Sequence, residues 1–177
     1  WYAMLSIIMG GNFSFYNLLS SLLASLILIF LVSPIHELAH GYAAIKLGDN
    51  TPRYQGRMTL NPMAHIDYMG ALMIILFGFG WAKPVQINMR NFRNPKRDMA
   101  ITALAGPLSN FLCAFVIGIF SAPVFYWAYD SQKMVAEILT YLMQYLVIFN
   151  LYIGLFNLIP IAPLDGSRIL SSVLPNR

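Results

Sequence analysis

Charged positions are so sparse in this chain that they divide it into segments. Glu37 is the first charged residue, after 36 residues without Asp, Glu, Lys or Arg, and further uncharged stretches run from Met99 to Tyr129 and from Ile138 to Leu164. Each is longer than the about 20 helical residues that cross a hydrocarbon core roughly 30 Å thick. The run LLSSLLASLILIFLVSPIHELAHGYAAIKLG predicts one long helix over 18–47, closed by Gly48. Pro34 should kink it, because its ring removes a backbone donor and crowds the preceding turn. A second span is predicted over 101–127, with Ala105, Gly106 and Ser109 as small residues suited to close helix packing and Pro107 as a bend. A third covers 135–159, and the segment 160–177 then leaves it through Pro160, Pro163, Asp165 and Gly166, which predict a tight non-helical turn.

The remaining segments carry different patterns. Residues 1–17, interrupted by Gly10, Gly11 and Asn12, are expected to form a short or re-entrant element. In the region 49–98, the stretch from Asp49 to Pro62 reads as a solvent-facing loop with short strands around Met58 to Leu60. Met69 to Ala82 is apolar but only fourteen residues long and broken by Gly70, Gly78 and Gly80. That length is short for a span and predicts a re-entrant segment. Val85, Ile87 and Met89 then alternate with polar residues as in a strand. The fold class expected is an all-α integral membrane protein. It is a polytopic bundle of three full spans, with re-entrant and short β elements near the cytoplasmic face and a single core over 1–177. The last segment stops at Arg177 just after an apolar stretch and is expected to continue further.

Composition narrows the function classes. At 58% hydrophobic, 10% charged and a mean hydropathy of +0.63, the chain is excluded from ordinary soluble domains, which are about a quarter charged. A porin-like barrel would need alternation over about ten residues per strand, and the uncharged runs lack it. The net charge of +4 does not point to nucleic acid, because the basic residues sit in short loops beside apolar spans. The single cysteine, Cys113, lies within an apolar run, excludes an internal disulfide and reads as core packing.

The chemistry concentrates at His36-Glu37-Leu38-Ala39-His40, an H-E-x-x-H arrangement. Residues four apart share a helix face, so both imidazoles can reach one ion, with Glu37 beside them as a general base. Zn²⁺ suits such a pair, and its catalytic sites keep one position open for water. The residues follow a long uncharged apolar run in the same helix, where an ionisable group costs about 2.5–3.5 kcal/mol on insertion scales. A third ligand must come from His65, Asp49, Asp67, Asp98, Asp130, Glu137 or Asp165. Asp165, in Pro163-Leu164-Asp165-Gly166, is the leading candidate, and His65 with Asp67 is the runner-up pair, whose plainer reading is a hydrogen-bonded loop.

Topology bears on that choice. If Met69 to Ala82 crossed the membrane, His36 and Asp165 would lie near opposite faces, about 30 Å apart. If it does not, Lys46, Arg53, Arg57, Lys83, Arg90, Arg93, Lys96 and Arg97 share one side, eight of the eleven basic residues. The positive-inside rule then puts the site near the cytoplasmic face. Asn150, Gly154 and Asn157 share a face of the last span. They read as interhelical hydrogen bonding, or, for Asn157, as a donor to the oxygen that becomes negative during peptide hydrolysis. Asn110, among Ala105, Gly106 and Ser109, reads as packing.

HELAH, GRMTLNPMAHID, GFGWAKPVQIN, ALAGPLSN and NLIPIAPLDGSRIL, in that order, resemble the site-2 proteases, intramembrane zinc metalloproteases, and particularly their compact prokaryotic members without PDZ or CBS domains. The similarity covers about Leu26 to Leu174. It implies that His36, His40 and Asp165 bind one zinc ion, that Glu37 is the catalytic base, and that Asn157 positions substrate or stabilises the oxyanion. It further implies a multi-pass protein of the cell membrane, with the lipid bilayer as its surroundings, cleaving a transmembrane protein substrate near the cytoplasmic side. The competing class is a membrane metal transporter or metal sensor using the same ligands. It requires ionisable residues along a transmembrane path, and after Met99 the spans offer only Glu137.

Overall fold

The structure, a computed structural model, describes residues 15–77, 80–131 and 134–174. The element expected over residues 1–17 lies outside the described residues as far as Ser14. Helix α1 (Phe15–Ile27), a π-helical turn (Leu28–Val32) and α2 (Ser33–Lys46) follow one another without a break. A single turn, α3 (Thr51–Tyr54), and a ten-residue helix, α4 (Tyr68–Phe77), come next. The long α5 (Pro95–Ser131), α6 (Met134–Asn157) and the short α7 (Asp165–Val173) complete the chain. Among the described residues, three stretches, Leu18–Lys46, Pro95–Tyr129 and Met134–Asn157, are long and apolar enough to cross a membrane. The protein is thus an all-α, multi-pass membrane protein.

Helix α5 packs against α2, α6 and α7, while α1 packs against α6. One core cluster joins Ala24, Leu28, Ile29 and Val32 of the first rod to Ile74 of α4 and Leu146 and Phe149 of α6. A second joins Ala44 of α2 to Phe92 and Met99, with Leu47 and Ile87 packed against it. The opposite face of α5 presents Leu108, Leu112, Phe115 and Ile119, all exposed. At spacings of four, three and four residues they form a lipid-facing stripe.

The disturbance expected from Pro34 takes the form of that π-helical turn. Its effect falls one turn earlier, where the Ser33 N–H and hydroxyl both reach back to the Leu28 carbonyl and widen the turn to π geometry. This relieves the clash a proline ring makes with the carbonyl four residues before it. Thr102, Gly106 and Asn110 form a stripe on the face of α5 toward α2, and Gly106 lets the two helices approach closely. A Cβ there would run into both the His36 and His40 rings.

The expected strands are not formed. Among the described residues there is no strand at Met58 to Leu60 or at Val85 to Met89. The physical reason is the destination of the backbone donors. The N–H groups of Lys83, Val85 and Asn88 go to the His65 carbonyl (2.8 Å), to Glu37 (2.7 Å) and to Asp49 (2.7 Å), not to a neighbouring strand. The re-entrant element expected over Met69 to Ala82 is likewise not supported as such. Its place is taken by α4 and a non-helical stretch from residue 80, with residues 78–79 outside the description. Ten helical residues rise only about 15 Å. The stretch folds back along α4, where Gly70 has no side chain to keep the Trp81 backbone away.

Two further expectations change. The 49–62 loop is not simply solvent-facing, because Asp49 and Pro52 are fully buried and Arg57 donates to the Ala64 carbonyl. Asp165 does not sit in a non-helical turn: Pro160 to Pro163 make that turn, and Asp165 is the first residue of α7.

Candidate metal centre

His36 and His40 lie one helical turn apart on α2, and Asp165 opens α7, so two elements of distant sequence meet. Gly166 makes the approach feasible, because a Cβ there would collide with the carbonyls of Leu158 and Ile159 just beyond α6. The His36 and His40 Nε2 atoms stand 3.1 Å apart. Asp165 Oδ2 lies 3.1 Å from His40 Nε2 and 3.3 Å from His36 Nε2. All three residues are buried and form a group able to hold a metal ion.

The other ring nitrogens decide what this triangle can hold. His40 Nδ1 is 2.7 Å from the Thr102 carbonyl, which can only accept, so Nδ1 carries the proton and Nε2 offers a lone pair. His36 Nδ1 donates to Asn110 Oδ1 at 2.5 Å. The orientation of that amide is locked, since Asn110 Nδ2 donates to Asn150 Oδ1 (3.1 Å) and Asn150 Nδ2 donates to the Leu146 carbonyl (2.8 Å). With protons on the Nε2 atoms in place of an ion, burial raises the Asp165 carboxyl, but hydrogen bonding with His36 and His40 outweighs it and holds the group well below the usual carboxylate range. It also sits at a helix N-terminus, which favours negative charge.

Three acceptors therefore converge with no proton of their own to share. Ligands about 2.0–2.1 Å from a tetrahedral ion lie roughly 3.3 Å from each other, close to the three separations seen. Two nitrogens and a carboxylate oxygen with an open fourth position match a catalytic zinc site. Without a cation, protons must bridge the three atoms, so metal and protons compete for the site.

Glu37, also buried, accepts the Val85 N–H on Oε2 at 2.7 Å. Asn157, on the last turn of α6, is half-buried, and its Nδ2 donates to the Ile153 carbonyl of its own helix at 3.0 Å. The runner-up pair is separate from this cluster. His65 Nε2 donates to the Thr59 carbonyl, and Asp67 caps the Gly70 N–H.

Sequence reasoning gave Asn110 to packing and missed its bond to His36, whereas Asn150, read as interhelical hydrogen bonding, does bond across to Asn110. A signal for Asn110 existed in Thr102, Gly106 and Asn110, spaced four apart, which put a carbonyl, a gap and an amide on one face of α5. Asn150 stood one turn before Gly154, whose missing side chain admits the Phe111 ring and brings α5 and α6 together.

The family model described as Peptidase family M50 matches residues 23–177. The chain is 43% identical over 168 residues to the putative zinc metalloprotease YwhC of Bacillus subtilis (strain 168), covering 93% of this chain and 74% of that protein. It is 29% identical over 152 residues to the zinc metalloprotease MJ0392 of Methanocaldococcus jannaschii, covering 85% of this chain and 34% of that protein. No solved structure matches.

Proposed function

The chain belongs to peptidase family M50, the site-2 protease family, and from that premise we propose that it cleaves peptide bonds of transmembrane proteins near the cytoplasmic side of the membrane. Membership and the identity to a named zinc metalloprotease make it a zinc metalloendopeptidase. The observation that carries the finer reading is the convergence of His36, His40 and Asp165, two of them on the helix that bears Glu37.

In this reading one zinc ion is held by those three residues; when bound it polarises the scissile carbonyl and acidifies water. Glu37 accepts the proton of the attacking water and returns it to the leaving amine. The Val85 amide holds one oxygen of that carboxylate, and the other is the one that would take the proton. Asn157 contributes by rotating its amide from the Ile153 carbonyl to an oxygen of the substrate. Eight of eleven basic residues lie between Lys46 and Arg97, which supports a cytoplasmic-side site. The stretches from Met99 to Tyr129 and from Ile138 to Leu164 carry no charged residue to line a path for a transported ion.

The test compares wild type with Glu37→Gln on a purified single-span membrane protein, with zinc content measured in both. Retained zinc and a loss of cleavage of at least about a hundredfold are expected; equal cleavage would remove Glu37 as the base.

A further inference from the structure

Asp49 is fully buried, three residues beyond the end of α2, and no step above uses it. It accepts four hydrogen bonds, all from neutral donors. Oδ1 takes the Thr51 N–H (3.0 Å), the Thr51 hydroxyl (2.5 Å) and the Asn91 amide (2.7 Å), and Oδ2 takes the Asn88 N–H (2.7 Å). Capping of α3 accounts for Thr51 alone. The second oxygen reaches 39 residues along the chain, into the stretch that also supplies Val85.

That stretch is held at three main-chain donors. Lys83 N–H is on the His65 carbonyl, Val85 N–H on Glu37 and Asn88 N–H on Asp49. Two of the three acceptors are carboxylates of one continuous unit, because Asp49 N–H itself bonds the Ala44 carbonyl of α2 (2.9 Å). Val85 and Asn88 are separated by at most about 10 Å of extended chain. Fixing Asn88 against the end of α2 therefore restricts where the Val85 amide can sit. Ile87 and Phe92, packed against Ala44, Leu47 and Met99, support the same register.

We propose that Asp49 is a positioning residue for Glu37, acting through the 85–88 backbone: its carboxylate holds Asn88 so that the Val85 amide stays on the Glu37 carboxylate. The proposal rests on the reading of Glu37 as the general base, and it adds a residue outside every motif that carries the family resemblance. Replacing the carboxylate leaves the metal triangle intact, since no bond of Asp49 reaches His36, His40 or Asp165. It loosens the base alone.

The experiment uses the full zinc-loaded chain in detergent micelles. Asp49→Asn, Asp49→Ala, Val85→Pro and the double variant Asp49→Ala/Val85→Pro are compared with wild type. Three quantities are read: zinc content, hydrogen exchange at the Val85 amide, and kcat and KM on a fluorescently tagged single-span membrane protein. Expected are unchanged zinc, faster Val85 exchange in both Asp49 variants, and kcat lower by about tenfold with KM within about twofold. The double variant should be no slower than Val85→Pro alone, because both changes break one connection. Unchanged Val85 exchange in Asp49→Asn and Asp49→Ala overturns the proposal, as does a double variant whose losses multiply. Absence of cleavage by wild type would defeat the protease reading instead, and the exchange result would still decide whether Asp49 holds Val85.

Discussion

The two halves of the catalytic constellation are supported by different kinds of structure. His36 and His40 face α5, and their second nitrogens end on a helix carbonyl, Thr102, and on a side-chain relay, Asn110 to Asn150, that terminates in another helix carbonyl, Leu146. Glu37, one residue along from His36, turns to a non-helical stretch whose register depends on Asp49 and His65. The metal half is thus built into helix packing, where repositioning one group means moving a whole helix. The base half hangs on a segment outside the spans. A site divided in this way can lose turnover without losing metal, or metal without disturbing the base.

The sharpest way to break the metal half is Gly106→Val. Its side chain must enter the space of both imidazoles, so zinc affinity measured by chelator competition should fall by roughly a hundredfold or more. Exchange at Val85 should report whether the base half survives. Asn110→Leu removes the acceptor for His36 Nδ1 but keeps volume, and an affinity loss of about 10–100-fold is expected. An unchanged zinc constant would show that the ring needs no fixing. Asn150→Leu acts one step further out, freeing the Asn110 amide to turn, so its loss should be smaller than that of Asn110→Leu and absent from the double variant beyond that of Asn110→Leu. A larger loss than Asn110→Leu would reverse the order of the relay.

The smallest effect concerns acid stability. Burial raises the Asp49 carboxyl, but hydrogen bonds from Thr51, Asn91 and the Asn88 backbone outweigh it and hold the group below its ordinary value. A carboxyl depressed in the fold stabilises it fully above the unfolded value of about 3.9, and that contribution disappears as pH falls through the folded value. Unfolding followed from pH 6 down to pH 3 should therefore show a shallower acid loss for Asp49→Asn than for wild type. Parallel curves would mean that Asp49 ionises alike in both states.

Legibility in the sequence followed the range of the interaction. HELAH announces its geometry because helical spacing is local, and the uncharged runs announce spans because length alone satisfies the bilayer. Asp165 could be ranked first among the third-ligand candidates because it follows a long uncharged span, with His65 and Asp67 left as the runner-up pair. The strand pattern of Val85, Ile87 and Met89 misled, since alternation marks which side chains are buried and not which acceptor takes the backbone protons. Val85 is indeed buried, yet its donor serves a carboxylate. Asn110 and Asp49 were invisible for a related reason. A polar residue among small ones, or in a turn, looks the same whether its partner is a neighbour or lies 40 to 70 residues away.

By itself the sequence determined the class of the molecule and most of what its centre needs: three apolar spans, a histidine pair with an adjacent carboxylate, and a short list of further donors led by Asp165. Those follow from the cost of charge in hydrocarbon and from the periodicity of a helix, both properties of short stretches. Only the tertiary structure decided that Asp165 opens a helix against that pair, that two asparagines from different spans orient His36, and that a loop amide pinned through Asp49 holds Glu37. Each of these depends on how closely two backbones approach, and at Gly106 and Gly166 that closeness comes from the absence of a side chain, which only the packed neighbours can explain.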